Sequence, residues 1–95
     1  MKNKNKKYSA AGVRVVSTGE ARERKLVKIG ELAGAYQILP STINFYTREG
    51  LLPEDARSIG GYRLYDRDRG LAVLKKIENF QRTKRYTIEE IKKML

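Results

Sequence analysis

The sequence predicts one small, mainly α domain of four helices carrying a small β-hairpin. Three observations predict it. Apolar residues recur at helical spacing from Val27 onward, Pro40 and Gly50 bracket one short helical stretch, and Gly60-Gly61 interrupts a stretch that alternates in polarity.

Residues 1–25 contain Asn, Lys, Ser, Gly and Ala with few large apolar side chains, so burial offsets little of the ordering entropy there. The expectation is a flexible basic arm over residues 1–25, followed by a folded domain over residues 26–95. Two roles stand side by side for the arm: a solubilising tail, or a grip on phosphates or a nucleic-acid groove. Gly12 to Ser17 alternates enough to keep a short strand open as a third reading.

In the folded part, Ile29, Leu32, Ala33 and Tyr36 follow the spacing that lines one helix face. Gln37 to Leu39 gives a turn. Pro40 suits a first helical position, where its missing N–H costs nothing, and the second helix runs to about Glu49. Gly50 can end it in the left-handed region, and Pro53 then disfavours helix in the residue before it. Leu39 offers no capping side chain, so the start of this helix is expected to shift or fray unless Ser41 or water assists. Two short helices so tightly joined read as helix-turn-helix.

Arg57 to Tyr65 is the predicted hairpin wing, with Gly60-Gly61 supplying positive φ and Tyr62 and Leu64 alternating with Arg63 and Tyr65. Asp66 can cap a third helix, in which Leu71, Leu74, Ile77 and Phe80 form the apolar stripe and Gly70 weakens the helix slightly. Thr87 with Glu90 makes a capping box, and Tyr86 with Ile91 a hydrophobic staple, for a last helix running to Leu95.

Composition narrows the function. A chain of 95 residues supports one domain with a modest core, in which a deep enclosed active site is hard to build. Cysteine and histidine are both absent, which removes zinc fingers, disulfide scaffolds, thiol nucleophiles and imidazole bases. Asp66 and Asp68 are close enough to suggest a metal pair, yet helix caps explain them more simply, so no catalytic, cofactor or metal site is expected. No apolar run approaches the roughly 18 residues a bilayer requires, and the expected setting is cytoplasmic, with no membrane partner. Net charge is +10, of which residues 1–28 supply +7 and residues 29–95 supply +3. Such an excess favours polyanionic partners, because each cation that neutralises a phosphate releases condensed counterions.

Five blocks then follow in order: Lys28-Ile29-Gly30-Glu31-Leu32-Ala33, Thr42-Ile43-Asn44-Phe45-Tyr46, Glu49-Gly50-Leu51-Leu52-Pro53, Gly61-Tyr62-Arg63-Leu64-Tyr65 and Tyr86-Thr87-Ile88-Glu89-Glu90-Ile91. From about Leu26 to Leu95 the chain resembles the amino-terminal domain of MerR-type transcription regulators. The resemblance implies a winged helix-turn-helix whose second helix enters the major groove of double-stranded DNA at a promoter or operator, with Tyr62 and Arg63 on the sugar-phosphate backbone. Residue chemistry agrees, since hairpin Arg and Tyr donors fix register while base edges must be read from the inserted helix. The expected DNA-binding residues are Ser41, Thr42, Asn44, Phe45, Tyr46, Arg48, Arg57, Tyr62 and Arg63, with Ile43 facing inward. Tyr46 could instead close the core, Arg63 could form a surface ion pair, and Phe45 could be partly buried or touch a thymine methyl.

Where the family pattern usually has Arg and Glu, this chain has Asn44 and Thr47, so the contact made by that Arg does not carry over. Asn44 either reads adenine through its paired donor and acceptor or stands idle at the groove edge. Longer family members continue into a dimerisation helix and an effector-binding region; the expectation here is a monomer, or a homodimer within a longer parent carrying that helix. The alternative function is an excisionase-like architectural factor that bends DNA. Single-strand or RNA binding by the basic arm requires exposed aromatic platforms, and most of the Tyr and Phe residues are assigned to core and wing.

Overall fold

A computed structural model describes residues 12–95. The elements run β1 (Val15–Val16), α1 (Thr18–Glu23), β2 (Leu26–Lys28), α2 (Ile29–Tyr36), α3 (Pro40–Arg48), β3 (Ala56–Ser58), β4 (Arg63–Asp66) and α4 (Arg67–Asn79). A π-helical stretch, Phe80–Lys84, and α5 (Ile88–Met94) complete the chain. The winged helix-turn-helix is present, but with five α-helices among the described residues rather than four. The wing, too, is wider than a lone hairpin.

Both departures have one cause. The β3–β4 hairpin exposes two unpaired edges and two faces, and short neighbouring segments cover them. On the outer side of β4, β2 pairs antiparallel, Val27 opposite Tyr65, while β1 pairs parallel with β3, Val15 opposite Arg57. The result is a four-stranded sheet in the order β1-β3-β4-β2. Along β4, Leu64 and Tyr65 point to opposite faces, and both are buried. Tyr65 enters the main core with Leu32, Ala33, Ile43, Leu52 and Leu74. Leu64 joins a second cluster with Val16, Leu26 and Ala56, against which Ala21 of α1 packs.

That second cluster organises what the sequence reading assigned to a flexible arm. Residues 15–25 give a strand, a helix and a turn, because Val16 and Ala21 close the outer face of the sheet. Ser17 caps α1, its hydroxyl accepting from the Glu20 amide at 3.1 Å, and Glu20 ties Arg14 and Arg24 to the helix. The part of the expected arm at residues 1–11 lies outside the described residues.

Local signals set the helix-turn-helix. At the end of α2, Gln37 takes a left-handed conformation and the Ile38 amide donates to the Ala33 carbonyl. Leu39 supplies no side-chain cap, yet α3 begins at Pro40 without a shift, with the Thr42 amide donating to the Leu39 carbonyl at 3.0 Å. Its other end is a Schellman closure: Gly50 has φ +83°, the Gly50 amide donates to Thr47, and the Leu51 amide donates to Tyr46. Leu51 then drops into a third apolar cluster with Ile77 and Ile91.

The remaining caps match the sequence. Asp66 accepts from the Arg69 amide at 2.9 Å and so starts α4 as a cap. Thr87 and Glu90 exchange side-chain to backbone bonds in a capping box, and Tyr86 packs beside the buried Ile91. Gly70 has a packing reason: a Cβ there would stand 3.1 and 3.2 Å from the two Cδ atoms of Leu32, so the missing side chain lets α4 approach α2.

Candidate nucleic-acid interface

The wing hairpin turns through Ser58 to Tyr62. Gly61 alone of the glycine pair has positive φ, at +90°, while the Gly61 amide donates to the Ser58 carbonyl and the Ser58 amide to the Tyr62 carbonyl. The Ser58 hydroxyl accepts from the Tyr62 amide at 3.1 Å. This turn leaves the Tyr62 ring on the surface, 61% exposed, with Lys28 Nζ 4.6 Å from its centroid. A cation over the ring restrains a side chain that stays largely exposed.

Beside the wing lies a hollow of about 340 Å³ lined by Ile29, Asn44, Arg57, Gly61, Tyr62 and Arg63. Four of the residues expected at the interface therefore meet at one place, drawn from α3, β3 and the wing. Glu54 organises them. Its carboxylate takes a two-bond contact from Arg57, Nε to Oε2 at 2.7 Å and Nη2 to Oε1 at 3.0 Å, and it lies 3.6 Å from Arg63 Nε. The hydrogen bond to Glu54 pushes the Arg57 guanidinium further toward its charged form. Arg63 Nη1 donates to Asn44 Oδ1 at 2.7 Å. Two guanidiniums share one carboxylate, so the cluster keeps a net positive charge facing the hollow.

On α3, Ser41, Phe45 and Arg48 are exposed, and their spacing places them on one helical face. Thr42 and Asn44 are half-buried, and Ile43 is fully buried in the main core. Phe45 is 37% exposed, with its ring centroid 5.9 Å from that of Tyr46.

Tyr46 is not brought to the hollow. Its side chain packs between the main core and the Leu51 cluster, and it lines a separate cleft with Tyr36, Leu74 and Glu78. Burial, then the charge of Glu78, raises its phenol pKa. Tyr36 is pushed up to about 12 by burial and by its short hydrogen bond to Glu78. Thr47, which stands where the family pattern has Glu, meets the hydroxyl of the buried Tyr65 at 2.9 Å.

Two participants escaped the sequence reading. Glu54 carried one faint signal, an acid three residues before Arg57. Lys28 opens the Lys28-to-Ala33 motif, but its place over Tyr62 depends on the β2–β4 pairing, which spans too much chain to be read from spacing.

A family model described as "MerR HTH family regulatory protein" matches residues 27–95. The chain belongs to the MerR family. Residues 27–95 span α2 to α5, the wing hairpin and most of β2, so the MerR unit contains the whole hollow, whereas β1 and α1 precede it. Among curated MerR-type relatives, the mercuric resistance operon regulatory protein of Bacillus cereus is 38% identical over 71 residues, covering 72% of this chain and 50% of the relative. The HTH-type transcriptional regulator ZntR of Escherichia coli K12 is 33% identical over 70 residues, covering 74% and 48%. Nodulation protein NolA of Bradyrhizobium sp. NC92 is 44% identical over 45 residues, covering 47% of this chain and 19% of the relative. The chain matches half or less of the length of these relatives, which by name are regulators and nodulation proteins.

Proposed function

We propose that this chain is the DNA-binding part of a MerR-type transcription regulator and binds double-stranded DNA at a promoter or operator in a sequence-specific way. The observation that carries the reading is the hollow in which Arg57, Tyr62 and Arg63 converge beside the exposed face of α3. Arg57, Tyr62 and Arg63 hold the sugar-phosphate backbone, because a pair of guanidiniums partly neutralised by Glu54 retains charge for a phosphate. Ser41, Thr42, Phe45 and Arg48 face the base edges in the major groove. Asn44 braces Arg63, whose Nη1 donates to Asn44 Oδ1. Tyr46 acts from within the core, fixing the angle of α3.

The protein is a binding module rather than an enzyme and works in the cytoplasm at the nucleoid, without cofactor or metal. No helix among the described residues is long and apolar enough to cross a membrane. Where the dimerisation helix of longer family members is present, the protein acts as a homodimer. The family match favours regulation over the excisionase-like architectural role.

Substitution separates register-setting from reading. Arg63→Ala lowers affinity for all duplexes alike and reduces the salt slope by about 1, whereas Arg48→Ala erodes sequence preference by about 1–3 kcal/mol. Equal effects of both variants on selected and scrambled duplexes would refute the assignment of α3 as the reader.

A further inference from the structure

The MerR match begins at residue 27, so β1 and α1 lie ahead of it, and they bring charge as well as cover for the sheet. Between α1, β2, β4 and the start of α4 runs a groove of about 640 Å³, floored by Ala21, Leu26 and Leu64. Four cations line it, Arg22, Lys25, Lys28 and Arg67, against two carboxylates, Glu31 and Asp68. Both carboxylates are engaged: Glu31 accepts from the Lys28 amide, and Asp68 lies 3.8 Å from Arg67. Arg14 and Arg24 are held by Glu20, whereas Arg22 and Lys25 are exposed and ion-paired to no carboxylate among the described residues. The groove is continuous with the wing, since Ser58 and Lys28 belong to its wall and Lys28 also covers the Tyr62 ring.

We propose that Arg22 and Lys25 form a second phosphate-binding site, which takes the backbone of the same DNA duplex beyond the segment contacted by the wing. This rests on the DNA-binding reading above and extends its contact surface past the family-matched unit. The excess of unpaired cations selects a polyanion, and the path from Tyr62 through Lys28 to Lys25 and Arg22 gives a track along which one DNA strand can continue.

The test uses the full chain and its Arg22→Ala/Lys25→Ala variant; both side chains are exposed, so the fold is expected to survive, as circular dichroism would verify. Affinity is measured against salt for a duplex bound by the wild type, with and without flanking base pairs. The wild type gains affinity from the flanks; the variant loses that gain, and its log–log salt slope falls by about 1 to 2, at roughly 0.9 per lost phosphate contact. Arg22→Glu/Lys25→Glu lowers affinity further. An unchanged slope and flank dependence in both variants, while Arg63→Ala still weakens binding, would overturn this site alone. Failure of the wild type to bind duplex DNA would overturn both readings. Resonances of Arg22 and Lys25 that respond to inorganic phosphate but not to duplex would also overturn it, assigning the groove to a free anion.

Discussion

Asn44 Oδ1 accepts a hydrogen bond from Arg63 Nη1 at 2.7 Å, which joins the middle of α3 to β4 of the wing. The bond makes the two proposed contact surfaces one unit. Asn44→Ala is expected to free Arg63 and lower affinity for selected and scrambled duplexes by the same factor, about 5-fold for roughly 1 kcal/mol. Parallel titrations of both duplexes check this; a loss confined to the selected duplex would make Asn44 a base reader.

Tyr65 and Thr47 form the corresponding internal link, at 2.9 Å between hydroxyls. Tyr65→Phe removes the bond at a fully buried ring and is expected to cost about 1 kcal/mol of stability. Thr47→Val leaves the phenol without its partner and is expected to cost at least as much. The double variant should lose less stability than the sum of the two single losses, measured from urea midpoints.

Gly70→Ala sets helix propensity against packing. Alanine favours helix by about 1 kcal/mol, but its Cβ would press on the Cδ atoms of Leu32, a side chain with no exposed surface and little room to turn. A net loss of stability is expected in denaturant unfolding, whereas a gain would show that Leu32 yields.

Tyr36 supplies a pH dependence. Its folded pKa of about 12 lies above the ordinary value of 10.0, so the fold favours the protonated phenol. The stabilisation is complete below pH 10 and disappears as pH rises through about 12. Wild type should therefore lose its advantage over Tyr36→Phe across that interval, as followed by denaturation midpoints at successive pH values.

The legible part of this fold was the part written in local chemistry. Pro40, Gly50, Asp66 and the Thr87/Glu90 pair act within four residues of their own positions, and each ends or starts the helix that its chemistry favours. The wing turn was legible at Gly61 for the same reason, although Gly60 did not need positive φ. The elements at 15–28 were legible only in part. The alternation of Gly12 to Ser17 left a short strand open, and Val15–Val16 is one, but α1 buries no residue of its own and the parallel pairing with β3 joins residues more than 40 apart. The interface divides likewise. Arg57, Tyr62 and Arg63 stood out as hairpin donors, and Tyr46 as a residue that either meets DNA or closes the core, but the Glu54 bridge and the Asn44–Arg63 bond depend on tertiary contacts. The π-helical stretch at Phe80–Lys84 carried no signal that spacing reveals.

The most direct test of the central claim is selection of duplexes from a random DNA library by the full chain, followed by titration of the winning and a scrambled duplex with wild type and Arg48→Ala. The account predicts a defined half-site, bound more tightly than scrambled DNA by wild type, with the preference reduced in Arg48→Ala. Enrichment of no sequence, or equal affinity for both duplexes, would contradict α3 as the reading helix.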